Sequence, residues 1–396
     1  MTATRRLLLQ AAALMPLSKA RAASKPARGV YAQLGIRPII NFNGTQTVLG
    51  ASKTWEDLHA AMAEAARDYV FLAELQEKVG ERLARLTGCE SAMVTTGAAG
   101  AICLGTCACL TGGDNAKVRR IPDLTGMKSE VVSLKVHRNG YDHAVRSTGA
   151  KMIEVQTLDQ LRKACGPQTA MMYYLGGTSH DYATELPIPI EECLAVTKRA
   201  GIPMLVDAAN MLPPWSNIPK LAALGVELIA ISGGKHMRGP QCSGILAGRK
   251  DLIHAASLNS SPNSDSLGRP MKVGREEIVG CWLACEKYAK LDFDALDREC
   301  ARQAAYLMDQ FHKIPGLRAE KAPFDRTRHV HRVNVTWDEK KLGLTAAQVI
   351  QELRDGEPRI VAPRANGGQG IEFTVFMNDP GEEKIAARRM KEIFKA

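Results

Sequence analysis

Two charged side chains follow apolar runs of the kind that proteins bury. Lys235 comes after the run Val226–Ile231, inside the glycine-rich stretch ISGGKHMRGPQCSG, and Asp207 ends the run IPMLVD. An isolated ammonium or carboxylate is costly to bury, so each needs either solvent or a chemical partner. Their separation of 28 residues fits one strand–helix–strand unit, which would place both at neighbouring strand ends. A helix cap or a surface turn is the alternative explanation for Asp207.

A loop of small residues upstream is a candidate third part of the same site. Thr95–Gly100 reads TTGAAG and follows the strand-like ESAMV. At Thr96, Gly97 and Ala98, backbone N–H groups of a helix N-terminus could bind a phosphate. Tight packing of the helix on the sheet explains the same pattern as well. Ser232, three residues before Lys235, could add a hydroxyl donor.

A lysine, a carboxylate and a phosphate-binding loop together suit pyridoxal 5'-phosphate (PLP). This cofactor needs a lysine for its Schiff base, an acid that keeps its ring nitrogen protonated, and N–H or hydroxyl donors for its phosphate. The sequence therefore predicts PLP, held by Lys235, Asp207 and the loop around Gly97. Desolvation would lower the pKa of the Lys235 amine into the range useful for base catalysis.

The elements that must position these residues alternate between apolar strands and helices as far as Gly268. Such alternation is typical of an α/β fold with a mostly parallel sheet covered on both faces. SGILAGRK, after the lysine stretch, is predicted as a returning strand. The predicted division is a signal peptide at 1–22, an N-terminal arm at 23–60, a large PLP-binding domain at 61–270, a linking helix at 271–300 and a small α+β C-terminal domain at 301–396.

The first 22 residues have the pattern of an export signal. Arg5 and Arg6 precede an apolar run from Leu7 to Leu17, and the small residues Ala20 and Ala22 frame a cleavage site. The paired arginines resemble a twin-arginine signal, which predicts a periplasmic location. A basic helix in a cytoplasmic protein, or a mis-assigned start codon, is the alternative.

Composition excludes several other classes of protein. The chain has 396 residues and a formal net charge of +10, and four of those charges lie in the leader, which leaves +6. The positive residues are dispersed, so we expect no nucleic-acid partner and a mild preference for anionic small molecules. The sequence has no apolar run long enough for a membrane span. It has ten cysteines but no CxxC pair, so we expect no metal site.

Several longer motifs are similar to one known family. VDAAN followed by SGGKHMRGPQCSGILAG resembles the selenocysteine-synthase-like branch of the fold-type-I PLP enzymes. RPIINFNGTQTVLGAS, GRPMKVGREEI and GEPRI also match that branch, and the resemblance covers roughly residues 30–396. The branch includes seryl-tRNA selenium transferases and ammonia-lyases acting on amino-sugar acids. It implies a sheet of the seven-stranded type and a homodimer, or an assembly of dimers, in which the neighbouring subunit completes each site.

The resemblance also implies roles for individual residues. Lys235 would be the Schiff-base lysine and Asp207 the partner of the pyridine nitrogen. His137 would stack on the cofactor ring, with Tyr141 as its rival. Arg269 and Lys272 would reach the substrate or the phosphate from the neighbouring subunit.

Other candidates for the site come from chemistry rather than from the resemblance. Arg359 or Arg364 suits a substrate carboxylate, because a guanidinium binds it through two parallel bonds, although either could be a solvated surface charge. His236 or His137 could protonate a leaving group.

The predicted reaction is an α,β-elimination on a small, anionic amino acid or amino-sugar acid. Transamination, racemisation and selenium-transferase-like β-replacement would use the same residues, so the sequence leaves them open. A non-catalytic exported binding protein on the same fold is an alternative of another class. An exported protein would meet no charged tRNA, which argues against selenium transfer.

Overall fold

The computed structural model describes residues 29–177, 188–324, 328–365 and 368–396. The predicted signal peptide at 1–22 lies outside the described residues. Within them the strands are β1 (Ile39–Asn41), β2 (Ser91–Thr96), β3 (Glu130–Leu134), β4 (Lys151–Val155), β5 (Thr169–Leu175), β6 (Met204–Asp207), β7 (Leu228–Ser232), β8 (Ser243–Gly248), β9 (Leu317–Lys321), β10 (His331–Trp337), β11 (Arg359–Val361) and β12 (Ile371–Val375).

The helices of the described residues fall between and after these strands. They are α1 (Val30–Gln33), α2 (Glu56–Ala65), α3 (Leu72–Thr87), α4 (Gly97–Thr111), α5 (Asn115–Arg120), α6 (His143–Arg146), α7 (Leu158–Ala164), α8 (Ile190–Arg199), α9 (Asn217–Leu224), α10 (Lys250–Leu258), α11 (Arg275–Ala289), α12 (Phe293–His312), α13 (Glu339–Leu342), α14 (Ala346–Asp355) and α15 (Glu382–Phe394). Short 3₁₀ turns cover Thr47–Leu49, Lys135–His137 and Gly140–Asp142.

The large domain is built on a seven-stranded sheet in the order β2-β8-β7-β6-β5-β3-β4. Only β8 runs against its neighbours, so the other six strands are parallel and their carboxyl ends share one edge. Successive residues pack into separate cores on the two faces, as Leu205 and Val206 do. Because both faces are buried, the strands are apolar throughout. The mostly parallel sheet and the returning strand predicted from the sequence are confirmed.

The small domain joins the C-terminal third of the chain to part of the N-terminal arm. β9, β10 and β12 form an antiparallel sheet, whereas β1 pairs in parallel with β11. Ile40 and Phe42 are buried in this domain's core, and the Phe42 ring lies 5.4 Å from that of Phe373. The predicted arm at 23–60 is therefore not a separate segment where it is described. Its strand β1 belongs to the small domain through its pairing with β11. The sequence did not reveal this strand because three residues are too few to show a periodic pattern.

The predicted linking helix at 271–300 is wrong as a single helix. α11 ends at Ala289, and α12 begins at Phe293. The Asp292 carboxylate accepts a hydrogen bond from the Ala295 N–H at 2.9 Å, and a cap of this kind starts a new helix. α11 packs into the large domain through Ile278, whereas α12 packs into the small domain through Phe311.

Two further features of the described residues bear on function. None of the helices in these ranges is long and apolar enough to cross a membrane. The same ranges contain no group of three or more His, Cys, Asp or Glu side chains arranged to hold a metal ion.

Candidate active site

Asp207 is a buried carboxylate at the carboxyl end of β6. Its side chain lies at the sheet edge with 5% of its surface exposed. Oδ2 accepts a hydrogen bond from the Tyr173 hydroxyl at 2.9 Å, and Oδ1 accepts one from the Ala209 N–H at 3.0 Å. Burial raises the pKa of Asp207, while these two bonds and the charge of Lys235 act to lower it. Among the described residues, no basic group lies within ion-pair distance of this carboxylate.

Lys235 lies beyond the end of the neighbouring strand, β7. Asp207 pairs with Ala230 in the register of the two strands, so both charged groups stand at the same edge. Lys235 is half-buried, and desolvation lowers the pKa of its amine. The charge of Asp207 opposes this shift, and the charge of Arg328 adds to it. The geometry thus produces an amine that loses its proton more readily than an ordinary lysine.

The small-residue loop forms the start of α4, two strands from β7. Gly244 of β8 pairs with both Thr95 and Ser232, which places the ends of β2 and β7 about 10 Å apart. A Cβ on Gly244 would lie 2.3 Å from the carbonyl carbon of Gly97, so only glycine allows this approach. Gly97 has a left-handed φ of +67°, and a Cβ there would meet no atom within 4 Å. The first N–H groups of an α-helix lack intrahelical acceptors, and α4 begins at Gly97, beside which there is open space.

His137 and Tyr141, the two candidates for stacking on the cofactor ring, have opposite environments. His137 is fully buried, with its ring edge on Tyr174 at 4.3 Å between centroids. Its Nδ1 accepts a hydrogen bond from the Leu175 N–H at 3.3 Å, and Leu175 pairs with Asp207. His137 follows β3, two strands from the carboxylate on β6, whereas Tyr141 is 73% exposed.

His236 is buried directly after Lys235. Its ring lies 4.1 Å from that of Phe376, which follows β12 in the small domain. Desolvation lowers the pKa of His236 well below its usual value, and the charges of Arg328 and Lys235 lower it further. Nδ1 has no hydrogen-bond partner among the described residues. A histidine of this kind is neutral at pH 7, which disfavours the role of proton donor considered for it.

The other arginines and the lysine selected from the sequence lie in the small domain or in the loop before α11. Arg359 Nε donates to the carbonyl of Arg354 at 3.0 Å, and the exposed Arg364 donates to the carbonyl of Gly368 at 2.8 Å. Arg269 is half-buried and Lys272 is exposed, both in the loop before α11. Their predicted roles involve a neighbouring subunit, so these roles remain predictions.

Two residues of the site were missed by sequence reasoning. Arg328 precedes β10, and its guanidinium donates to the side-chain oxygen of Asn210 at 2.5 Å. Asn210 is three residues after Asp207 in the sequence. Tyr173 reaches Asp207 from the next strand. The only sequence signal for Arg328 was the basic stretch RTRHVHR, and Tyr173 had none, because it lies inside the apolar strand TAMMYYL.

The residues present fit PLP. A buried carboxylate without an ion-pair partner among the described residues suits a protonated ring nitrogen, and a lysine with a lowered pKa suits covalent attachment. The open space at Gly97, which is the first residue of α4, suits a phosphate at a helix N-terminus. Asp207, Lys235, Ser232 and the start of α4 are the groups that would hold the cofactor.

Comparison with known proteins agrees with this fit. The aminotransferase class-V family matches residues 125–346. The chain is 32% identical to the D-glucosaminate-6-phosphate ammonia lyase of Salmonella typhimurium over 380 residues, which cover 92% of this chain and 97% of that protein. It is 30% identical to a 5'-C-glycyluridine monooxygenase-decarboxylase of a Streptomyces species over 375 residues, covering 92% and 91%.

A solved structure of a D-glucosaminate-6-phosphate ammonia-lyase has the same fold. It superimposes with a TM-score of 0.79 at 30% identity, covering 93% of this chain and 98% of that one. The sequence resemblance to this branch and the prediction of PLP are confirmed, and the alternative of a non-catalytic binding protein is set aside. The chain is a PLP-dependent enzyme and belongs to the aminotransferase class-V family, within the fold-type-I group.

Proposed function

We propose that this enzyme is an ammonia-lyase that acts on a small anionic amino acid, with amino-sugar acids as the substrate class. The observation that carries the proposal is the grouping of Lys235, Asp207 and Arg328 at one sheet edge. It combines a base, a buried carboxylate and an anion-binding guanidinium. The amino-sugar acid named for the Salmonella relative supports the substrate class.

Each charged residue has a distinct task in this reaction. PLP, when bound, supplies an electron sink for bonds at the substrate Cα. The Asp207 carboxylate holds a proton on the nitrogen of the cofactor ring. The neutral amine of Lys235, favoured by desolvation, accepts the Cα proton.

Lys235 is also the better donor to the leaving group. The alternative donor, His236, is neutral because burial and two nearby positive charges oppose its protonation. An ammonium formed on Lys235 carries the proton taken from Cα and can deliver it to a β-hydroxyl. A β-hydroxy amino acid then gives a 2-oxo acid and ammonia, with one water released and one consumed.

Arg328 binds the substrate carboxylate in this scheme. Its guanidinium is near enough to Lys235 and His236 for its charge to shift both of their pKa values. A guanidinium matches a carboxylate with two parallel N–H···O bonds. Arg359 and Arg364, the choices made from sequence, bond instead to main-chain carbonyls.

The proposal is tested by a screen of hydroxylated amino acids and amino-sugar acids, with and without a phosphate group. Release of ammonia and a 2-oxo acid in equal amounts is the expected result. Transfer of the amine without ammonia, inversion at Cα, or exchange of the β-substituent would refute elimination. Oxygen uptake with carbon dioxide release would instead match the chemistry named for the Streptomyces relative.

We further propose that the enzyme is a homodimer. Tyr69, Val70 and Phe71 connect α2 to α3 and are 98%, 51% and 83% exposed, which is unusual for three consecutive apolar residues. The roles predicted for Arg269 and Lys272 at the neighbouring site require such a second copy. Light scattering should give twice the mass of the chain, and Phe71→Lys should shift it towards the monomer; a wild-type monomer would refute the proposal.

Export to the periplasm is a proposal that rests on the leader alone. Changing both Arg5 and Arg6 to lysine keeps the charge and removes the paired arginines that a twin-arginine receptor would read. The variant should remain in the cytoplasm, whereas unchanged fractionation would contradict a twin-arginine route.

A further inference from the structure

The N-terminal arm is bonded to the main chain on both sides of Lys235. The Ser52 hydroxyl donates to the Gly234 carbonyl at 2.7 Å. The indole N–H of Trp55 donates to the Met237 carbonyl at 2.9 Å, and the backbone N–H of Trp55 donates to the Arg238 carbonyl at 3.2 Å. A segment more than 180 residues away in sequence therefore holds the turn that carries the lysine.

Arg238 makes the reciprocal contacts from the turn to the arm. Its Nε donates to the Lys53 carbonyl at 2.8 Å, and its guanidinium lies over the Trp55 ring at 4.0 Å. Its backbone has a left-handed φ of +57°, which is unfavourable for a residue with a Cβ. Such a conformation persists only where surrounding contacts hold it, and the arm provides those contacts.

The same arm reaches the small domain next to the site. Lys53 Nζ lies 2.6 Å from an Asp379 carboxylate oxygen and 3.6 Å from one of Glu382. Asp379 is three residues after Phe376, which packs on His236. The arm thus joins the lysine turn to the small-domain loop that covers it.

We propose that Arg238 and Trp55 are a positioning pair that fixes Lys235 for its bond to PLP. The turn contains Gly233, Gly234 and Gly239, and glycine-rich backbone has many accessible conformations when nothing holds it. Trp55 holds one conformation by donating to the carbonyls of Met237 and Arg238, which follow the lysine, and Arg238 donates in return to the carbonyl of Lys53 in the arm. This role presupposes that Lys235 is the lysine that binds PLP, as proposed above.

The test compares Trp55→Phe and Arg238→Gly with a matched control. Trp55→Phe keeps an aromatic ring under Arg238 but deletes one N–H···O bond. Arg238→Gly deletes the guanidinium while it relieves the left-handed strain. The control is Arg82→Ala, because Arg82 lies over the ring of Trp282 at 4.8 Å but makes no contact with the lysine turn among the described contacts.

The readouts are the release rate of PLP from the holoenzyme, the circular dichroism of the bound cofactor, and the melting temperature. Release should be about five-fold faster in Trp55→Phe, as expected for one hydrogen bond. It should be on the order of 30-fold faster in Arg238→Gly, from one charged hydrogen bond and one cation–π contact. Both variants should lose the circular dichroism of the bound cofactor. Arg82→Ala should change neither the release rate of PLP nor this dichroism.

Wild-type release and dichroism in both variants would overturn the positioning role, whatever their melting temperatures. Equal effects in Arg82→Ala would overturn it too, because a general loss of stability would then explain the result. Mass spectrometry after borohydride reduction of the wild-type holoenzyme separates this failure from that of the proposed site. PLP trapped on a lysine other than Lys235 would refute the site itself.

Discussion

Replacement of Asp207 by asparagine separates the charge of this residue from its structural role. The carboxylate has two observed partners, the Tyr173 hydroxyl on Oδ2 and the Ala209 N–H on Oδ1. An asparagine with its oxygen towards Ala209 keeps that bond. Its amide N–H₂ then faces Tyr173, whose hydroxyl can accept a hydrogen bond.

The structure therefore predicts a small effect on folding and a large one on catalysis. Both polar contacts are retained, and a buried charge is removed, so the free energy of unfolding should change by about 1 kcal/mol or less. Loss of the negative charge that keeps the ring nitrogen protonated should raise the activation barrier by about 3–4 kcal/mol, which lowers turnover by roughly 10²–10³-fold.

The assay measures kcat for ammonia release with a substrate from the screen, together with PLP affinity and urea unfolding. Tyr173→Phe is the control, since it leaves the charge of Asp207 and removes one hydrogen bond. It should cost about 1 kcal/mol, or about five-fold in turnover. Wild-type turnover in Asp207→Asn would refute the role given to the charge. An equal loss in both variants would assign the effect to the hydrogen-bond network instead.

Three further predictions follow from the charged groups. Arg328→Lys keeps a positive charge but loses the bidentate geometry, so KM should rise about 10–100-fold. If neither KM nor the inhibition constant of a substrate-like carboxylate rises, Arg328 does not bind the substrate carboxylate. Lys235→Ala should abolish borohydride-trapped PLP, as mass spectrometry would show. Burial raises the pKa of Asp142, but bonds from Arg138 and Arg146 outweigh it and hold the pKa below its usual value. Stability from this group is present above the ordinary aspartate pKa and lost as pH falls through the folded value, so Asp142→Asn should flatten the acid limb of a melting-temperature profile.

The sequence by itself determined the class of fold and pointed to the principal groups of the candidate site. Both signals are local: strands that are buried on two faces must be apolar, and a charge at the end of such a strand stands out. Asp207, Lys235 and the Thr96–Ala98 loop were found in this way, since parallel strands place their carboxyl ends at one edge. The placement of Asp207 and Lys235 at one edge was therefore predicted from successive strands along the chain, without any long-range contact.

Only the tertiary structure decided which remote residues complete the site. Tyr173 looks like any other core residue until the register of β5 and β6 brings it to Asp207. Arg328 follows Asn210 by more than a hundred residues, and no periodicity links them. The neutral state of His236 depends on burial by Phe376 and on two nearby charges. Such contacts arise from the docking of separate elements, so they leave no pattern in the local sequence.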